Sequence, residues 1–348
     1  MVTAKRSASK ACRKLRSTKS DRLLGVARFV LAFAFYLTAM DARAAGFRSI
    51  EVPATVDSPA LPGAMWYPCS EPPTDINLGP ITVQGARDCP VSGGKLPLVV
   101  ISHGNLGAFF DHYDTAEALA NAGFIVAAIT HRGDSIPILP DAADPSVMIA
   151  RPDDMQRLID FMLGASPGAS IVDPDRIGFF GFSAGALTGL VLAGAKPDWP
   201  AMLCRFSSAH RACTSLIRKN FREIPRKPEP RIKAAVLADP PGMWLAADGF
   251  ASVRLPIQLW ASESGGRSYP KRSIAVTPES VAMIDKALPK EHEYHVVANT
   301  GHFAFLLCGP SIKPIPEFCA DAPGFDRVSF HEQFNEGVIR FFRAQLVH

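Results

Sequence analysis

"RIGFFGFSAGALTGLVLAGA" (Arg176–Ala195) sets Ser183 between two glycines, Gly181 and Gly185, each two positions away. The run before the serine, Arg176–Phe182, is short and apolar and predicts a buried strand. The run after it is apolar and rich in small residues and predicts a buried helix. Gly-x-Ser-x-Gly at such a junction has a physical meaning. The chain must turn sharply from strand to helix, which strains the serine backbone and lifts its hydroxyl clear of the sheet. A side chain two residues to either side would collide with the neighbouring strand or helix. A serine hydroxyl is a weak nucleophile until a rigid turn exposes it and a base takes its proton. Ser183 is therefore the candidate nucleophile.

Outward from this elbow, apolar runs alternate with helical patterns. "PLVVIS" (Pro97–Ser102), "FIVAAIT" (Phe124–Thr130), "IKAAVLA" (Ile232–Ala238), "PIQLWAS" (Pro256–Ser262) and "EYHVVA" (Glu293–Ala298) predict strands. Helices are predicted over His112–Gly123, Pro152–Ser166, Pro278–Ala287 and from near Ser329 to Leu346. The Pro and two Asp at 152–154 mark a helix start. "FRSIEVPA" and "GAMWYP" predict a leading antiparallel hairpin. Buried strands alternating with helices predict a doubly wound, mostly parallel α/β sheet, a single domain over 45–348. Residues 196–231 break the alternation. They carry nine Lys or Arg against Asp198, Glu223 and Glu229, and predict a small basic insertion over the carboxyl ends of the strands, a lid or cap.

An elbow nucleophile needs partners. The oxyanion formed on attack needs two N–H donors. One is the backbone N–H of Ala184. The other belongs to the loop "SHGNLGAF" (Ser102–Phe109), at Asn105 or Leu106. His103 is read as structural. A base is expected late in the chain, and "HVVANTGHFAFL" supplies His302 in a turn after the last strand. His112 and His292 are placed on helix or solvent faces, His295 inside a strand, His331 and His348 in the last helix, and His210 in the insertion. His131 precedes the nucleophile. The acid follows one of two strands. Asp239 stands one residue past Ile232–Ala238, before a stiff Pro-Pro-Gly. Glu263 follows Pro256–Ser262 and precedes two glycines. Asp239 is favoured and Glu263 is the alternative.

The first 44 residues differ from the rest. Met1–Arg28 carries nine Lys or Arg and one acid, followed by an uncharged run of twelve (Phe29–Met40) and "ARA" at 42–44. This pattern predicts a secretory signal peptide; the run is short of the ~20 residues a spanning helix needs. The whole chain has a formal charge of +4. Residues 1–44 contribute ten Lys or Arg and two Asp, or +8, so the mature chain carries −4. That balance gives no electrostatic case for nucleic acid. Six cysteines remain after residue 44, in three local couples. In an oxidising compartment these predict bridges Cys69–Cys89, Cys204–Cys213 and Cys308–Cys319. No zinc-type spacing and no dinucleotide-type Gly-x-Gly-x-x-Gly occurs, so no metal or organic cofactor is implied.

The residues resemble the α/β-hydrolase superfamily, and within it the platelet-activating-factor acetylhydrolase and dienelactone-hydrolase-like group. Val99–Ser135 is similar to that group's oxyanion loop, helix and following strand, "GFSAGA" to its elbow and "GHFAF" to its histidine turn. "LADPPGMW" resembles the acetylhydrolase arrangement, in which the acid follows the strand after the nucleophile helix. The oxyanion loop is one residue longer here, and the basic insertion has no counterpart in the group. The resemblance implies a triad of Ser183, Asp239 and His302. Together with the N-terminal pattern and the cysteine couples, the expectation is a secreted or periplasmic serine hydrolase of carboxylic esters, with a small-molecule or lipid ester as substrate. Weak membrane-surface contact would run through the basic insertion. Peptidase, amidase or acyltransferase chemistry on the same triad, and a non-catalytic binding protein that keeps the fold, are the alternatives.

Overall fold

Strand β7 (Val172–Phe182) sends Ile177 and Phe179 into the core on one face of the sheet and Phe180 and Phe182 into the core on the other. Its neighbours β5 (Leu96–Ser102) and β8 (Ile232–Ala238) do the same: Leu98, Val100, Ala235 and Leu237 face one way, Val99, Ile101, Ala234 and Val236 the other. A strand covered on both faces has no polar side, which is why these segments read as unbroken apolar runs.

The computed structural model describes residues 45–133, 146–204, 213, 214, 217, 228–268, 276–308 and 316–347. The expected signal peptide at 1–44, His210 and His348 lie outside them. Ten strands form one sheet in the order β10-β9-β8-β7-β5-β6-β2-β1-β4-β3. β1 (Ala45–Val52) and β2 (Leu61–Pro68) make the expected antiparallel hairpin. β2 pairs antiparallel with β6 (Ile125–Ile129). β6, β5, β7, β8, β9 (Ile257–Ser262) and β10 (Glu293–Val297) are parallel to their neighbours. β3 (Thr74–Asn77) and β4 (Thr82–Arg87) extend the hairpin edge. They are short and largely polar, so the sequence did not announce them. The Cys69–Cys89 bridge brackets this pair, and Cys204–Cys213 and Cys308–Cys319 are also joined as expected.

Helix α1 (Tyr113–Asn121) covers one face of the sheet, together with the final helix (Arg327–Leu346). On the other face lie α2 (Ser146–Gly164), α3 (Ala184–Leu192) and α5 (Pro278–Ala287). With α4 (Trp199–Leu203) between them, the final helix is α6. No helix among the described residues is long and apolar enough to cross a membrane.

One helix start differs from expectation. α2 begins at Ser146 and keeps Pro152 inside. An internal proline costs one backbone hydrogen bond, and tertiary packing offsets it: Met148 and Ile149 lie against Val191, Trp199 and Met202, while Arg151 is fully buried. The expected insertion at 196–231 opens with α4, tied at its base where Asp198 N donates to Trp244 O. Glu229 N donates to Leu192 O at its far end. Most of the segment between lies outside the described residues.

The register sets up the sheet's carboxyl edge. Phe182 pairs with Ala238, Ala238 with Trp260, and Ser262 with Val297. Ser183 and Asp239 therefore emerge side by side, each one residue beyond its strand.

Candidate active site

Ser183 has φ 54° and ψ −118°, a strained backbone for a residue with a Cβ. Its N–H still donates to Ala238 O at 2.8 Å, carrying the β7–β8 ladder one residue into the turn. The flanking glycines are explained by contact. A Cβ on Gly185 would overlap Ser102 O, and one on Gly181 would overlap Gly185 O. α3 begins at Ala184, whose N–H belongs to the first turn and has no acceptor within the helix. Ser183 stays partly exposed.

The residues expected as base and acid, His302 and Asp239, converge on it. His302 opens a 3-10 turn, His302–Phe305. Its Nε2 lies 2.9 Å from Ser183 Oγ. Its Nδ1 lies 2.9 Å from Asp239 Oδ2. A carboxylate can only accept, so Nδ1 carries the proton and Nε2 accepts from Ser183 Oγ. Phe182 stacks on the ring with centroids 4.7 Å apart. Asp239 is fully buried. Ser262 holds it: its N–H donates to Oδ1 at 2.8 Å and its Oγ to Oδ2 at 2.6 Å. Glu263, the alternative acid, turns elsewhere, its Oε2 accepting from Asn299 N at 2.7 Å. Ser262 was not singled out from sequence. The available signal was its place as the last residue of a strand adjoining the acid's own.

α6 grips the histidine turn. Arg327 Nη1 donates to Phe303 O at 2.8 Å and to Leu306 O at 2.7 Å. His331 Nε2 donates to Ala304 O at 2.9 Å, and its Nδ1 lies 2.7 Å from Asp114 Oδ2. The buried ring thus ties the histidine turn to Asp114 of α1.

The loop after β5 borders Ser183. Gly107 N donates to Gly104 O at 3.2 Å, closing a turn in which Leu106 takes φ 63°. A Cβ on Gly104 would stand 3.5 Å from Ser183 Cβ. Asn105 and Leu106, the two candidate donors, occupy this turn. His103 lies beneath it, buried, and its Nε2 accepts from His131 N at 3.0 Å. His103 Nδ1 therefore bears the proton and donates to Gly104 O at 2.6 Å. His131 lies between Ser102 Oγ (Nε2, 2.9 Å) and Asp154 Oδ2 (Nδ1, 3.0 Å). Burial, with the charge of Arg151, pulls the His131 pKa well below its ordinary value. Burial pushes Asp154 up to about 6, against the nearby guanidinium of Arg157.

His112, placed from sequence on a helix or solvent face, lies at the start of α1 on its inward side. It is buried against the edges of Phe180 and Phe182, and burial lowers its pKa to about 4. The reason is spacing: positions 112, 115, 116 and 119 make one stripe, and Thr115, Ala116 and Leu119 are the buried side of α1. The inward stripe starts one residue before the helix does.

A mostly parallel sheet with helices on both faces and a strained serine at a strand-to-helix turn is the α/β-hydrolase fold. Over residues 74–145 the chain is similar to the family described as platelet-activating factor acetylhydrolase, isoform II. That segment holds the loop with Asn105 and Leu106, and ends before Ser183. Among solved structures, the ferulic acid esterase from Streptomyces cinnamoneus is similar with a TM-score of 0.55 and 18% identity, over 87% of this chain and 90% of that one. No curated protein sequence matches this chain.

Proposed function

We propose that this protein is an exported serine hydrolase that cleaves carboxylic esters through Ser183, His302 and Asp239. The observation that carries the reading is the unbroken line from Ser183 Oγ to His302 Nε2 and from His302 Nδ1 to Asp239. Ser183 Oγ attacks the ester carbonyl carbon as its proton passes to His302 Nε2. The carbonyl oxygen takes the negative charge and is held by the N–H of Ala184 and a second donor at Asn105 or Leu106. His302 then gives its proton to the departing alkoxide, leaving the acyl group on Ser183. Water, deprotonated by His302, attacks that acyl group, and Ser183 leaves with the proton returned. Asp239 keeps the imidazole in its working tautomer and balances its transient charge.

The three bridges fit an oxidising compartment. With the N-terminal pattern they support export to the periplasm or beyond after removal of residues 1–44. The similarity to an acetylhydrolase family and to an esterase supports the ester class. The test is a series of p-nitrophenyl esters of rising acyl length set beside peptide p-nitroanilides, with fluorophosphonate labelling mapped by mass spectrometry. Ester turnover with the label on Ser183 is expected. Preferred cleavage of the anilides would move the protein to the peptidases. No turnover and no label would leave a hydrolase fold without the chemistry.

A further inference from the structure

We propose that Arg151 is a positioning residue for the oxyanion site, and that the second donor it sets is the N–H of Asn105. This rests on the ester-hydrolase reading above. Arg151 is fully buried, the largest such side chain among the described residues. Its Nη1 donates to His103 O at 2.6 Å, and its Nη2 donates to Gly104 O at 2.9 Å. The Gly104 carbonyl also receives His103 Nδ1 at 2.6 Å and Gly107 N at 3.2 Å. Three donors on one carbonyl fix the plane of the peptide that joins Gly104 to Asn105. The peptide is trans, so its N–H points opposite to its C=O. The carbonyl faces the buried guanidinium, and the Asn105 N–H is therefore aimed away from it. Gly104 itself abuts the nucleophile, its would-be Cβ 3.5 Å from Ser183 Cβ.

Arg151 supplies more than geometry. A cation on the carbonyl oxygen polarises the amide and strengthens the N–H as a donor. Its planar fork can engage two successive carbonyls at once, which a lysine ammonium cannot reproduce. The charge is held in place among polar groups, with Asp154 and Asp111 both within its electrostatic reach. Pro152 follows at once in the helix, and the packing of Met148 and Ile149 keeps this part of α2 in place.

The experiment compares Arg151→Met and Arg151→Lys with the parent, using p-nitrophenyl acetate and a trifluoromethyl ketone that mimics the tetrahedral intermediate. In Arg151→Met, kcat should fall by ~10²-fold, the low end for loss of an oxyanion donor, with KM little changed. Affinity for the ketone should fall in step with kcat/KM, since both report the same oxyanion. Arg151→Lys should fall between variant and parent. A merely structural role would not tie ketone affinity to kcat. A folded variant with parental kcat, or a fall in kcat without the matching loss of ketone affinity, overturns the proposal. If Arg151→Met does not fold, Arg151→Lys decides by the same two measurements. If circular dichroism finds neither folded, Arg151 holds the fold rather than the loop and the proposal is wrong. A parent that hydrolyses no ester and takes no fluorophosphonate label fails at the earlier reading instead. An active, labelled parent with indifferent Arg151 variants refutes only this inference.

Discussion

Among the described residues, two lines of Ser, His and Asp start from serines at the ends of the adjacent strands β5 and β7. In one, Ser183 Oγ, His302 and Asp239 Oδ2 are joined by 2.9 and 2.9 Å. In the other, Ser102 Oγ, His131 and Asp154 Oδ2 are joined by 2.9 and 3.0 Å. The distances do not distinguish them; the surroundings do. Ser183 stands past the end of its strand in a strained turn and is partly exposed. Ser102 is the last residue of β5, wholly buried, with Arg151 Nη1 3.5 Å from its hydroxyl. A general base must become a cation in the transition state. His131 is buried beside a guanidinium, and both burial and that charge work against its protonated form. Both rings face a carboxylate, Asp154 for His131 and Asp239 for His302, and Ser262 holds Asp239 from two sides. Three side chains in line make a site only where substrate can enter and where the central ring can carry a charge.

The largest test of this contrast is Ser183→Ala. It should lower kcat for p-nitrophenyl esters by roughly 10⁶-fold, as loss of a triad serine does elsewhere, and abolish fluorophosphonate labelling. Next comes the acid. Asp239→Asn should cost ~10⁴-fold in kcat by favouring the wrong tautomer. Glu263→Gln should stay near the parent, because that carboxylate serves Asn299 N rather than the imidazole. Comparable losses in the two variants would break the assignment.

The second line should respond to pH through stability rather than rate. Burial pushes folded Asp154 up to about 6, against an ordinary value of 3.8. Between those values the folded chain keeps a proton that the unfolded chain has released. This contribution to parental stability is therefore present at pH 4 and lost as pH rises to 6. Asp154→Asn has no such proton. Urea unfolding of both proteins should show the difference moving in the variant's favour by roughly 2 kcal/mol between pH 4 and 6, the slope approaching 1.36 kcal/mol per pH unit only midway between the two pKa values. A difference that is flat with pH would remove the buried-carboxylate account.

What the sequence made legible was local chemistry. The elbow is written in five residues, and Gly181 and Gly185 sit where the backbone leaves no room for a Cβ. His302 was recognisable because it follows the last strand in a tight turn. The acid was not decided by spacing, since Asp239 and Glu263 each lie just past a strand. The choice depends on the register Ala238↔Trp260, which brings Ser262 beneath Asp239. Arg151 was hidden by Pro152, which imitates a helix start and cuts the buried guanidinium off from α2. His112 was hidden because helical spacing alone does not say which face is inward until α1 is packed on Phe180 and Phe182. Strands β3 and β4 are too short and too polar to show a period.

The smallest expected effect is the sharpest test of the comparison. Ser102→Ala removes the hydroxyl 2.9 Å from His131 Nε2 and leaves that buried nitrogen without this partner. The stability cost should be ~1–3 kcal/mol, the usual penalty for such a group, read by urea unfolding at pH 7. The catalytic loss should be minor. His131 N still donates to His103 Nε2, and Arg151 still donates to His103 O and Gly104 O, so the turn beside Ser183 keeps its bonds. A fall in kcat within about tenfold corresponds to no more than ~1.4 kcal/mol, which this indirect contact can supply. A loss approaching that of Ser183→Ala would mean that the hydroxyl on β5, not the one at the elbow, is the group that reacts.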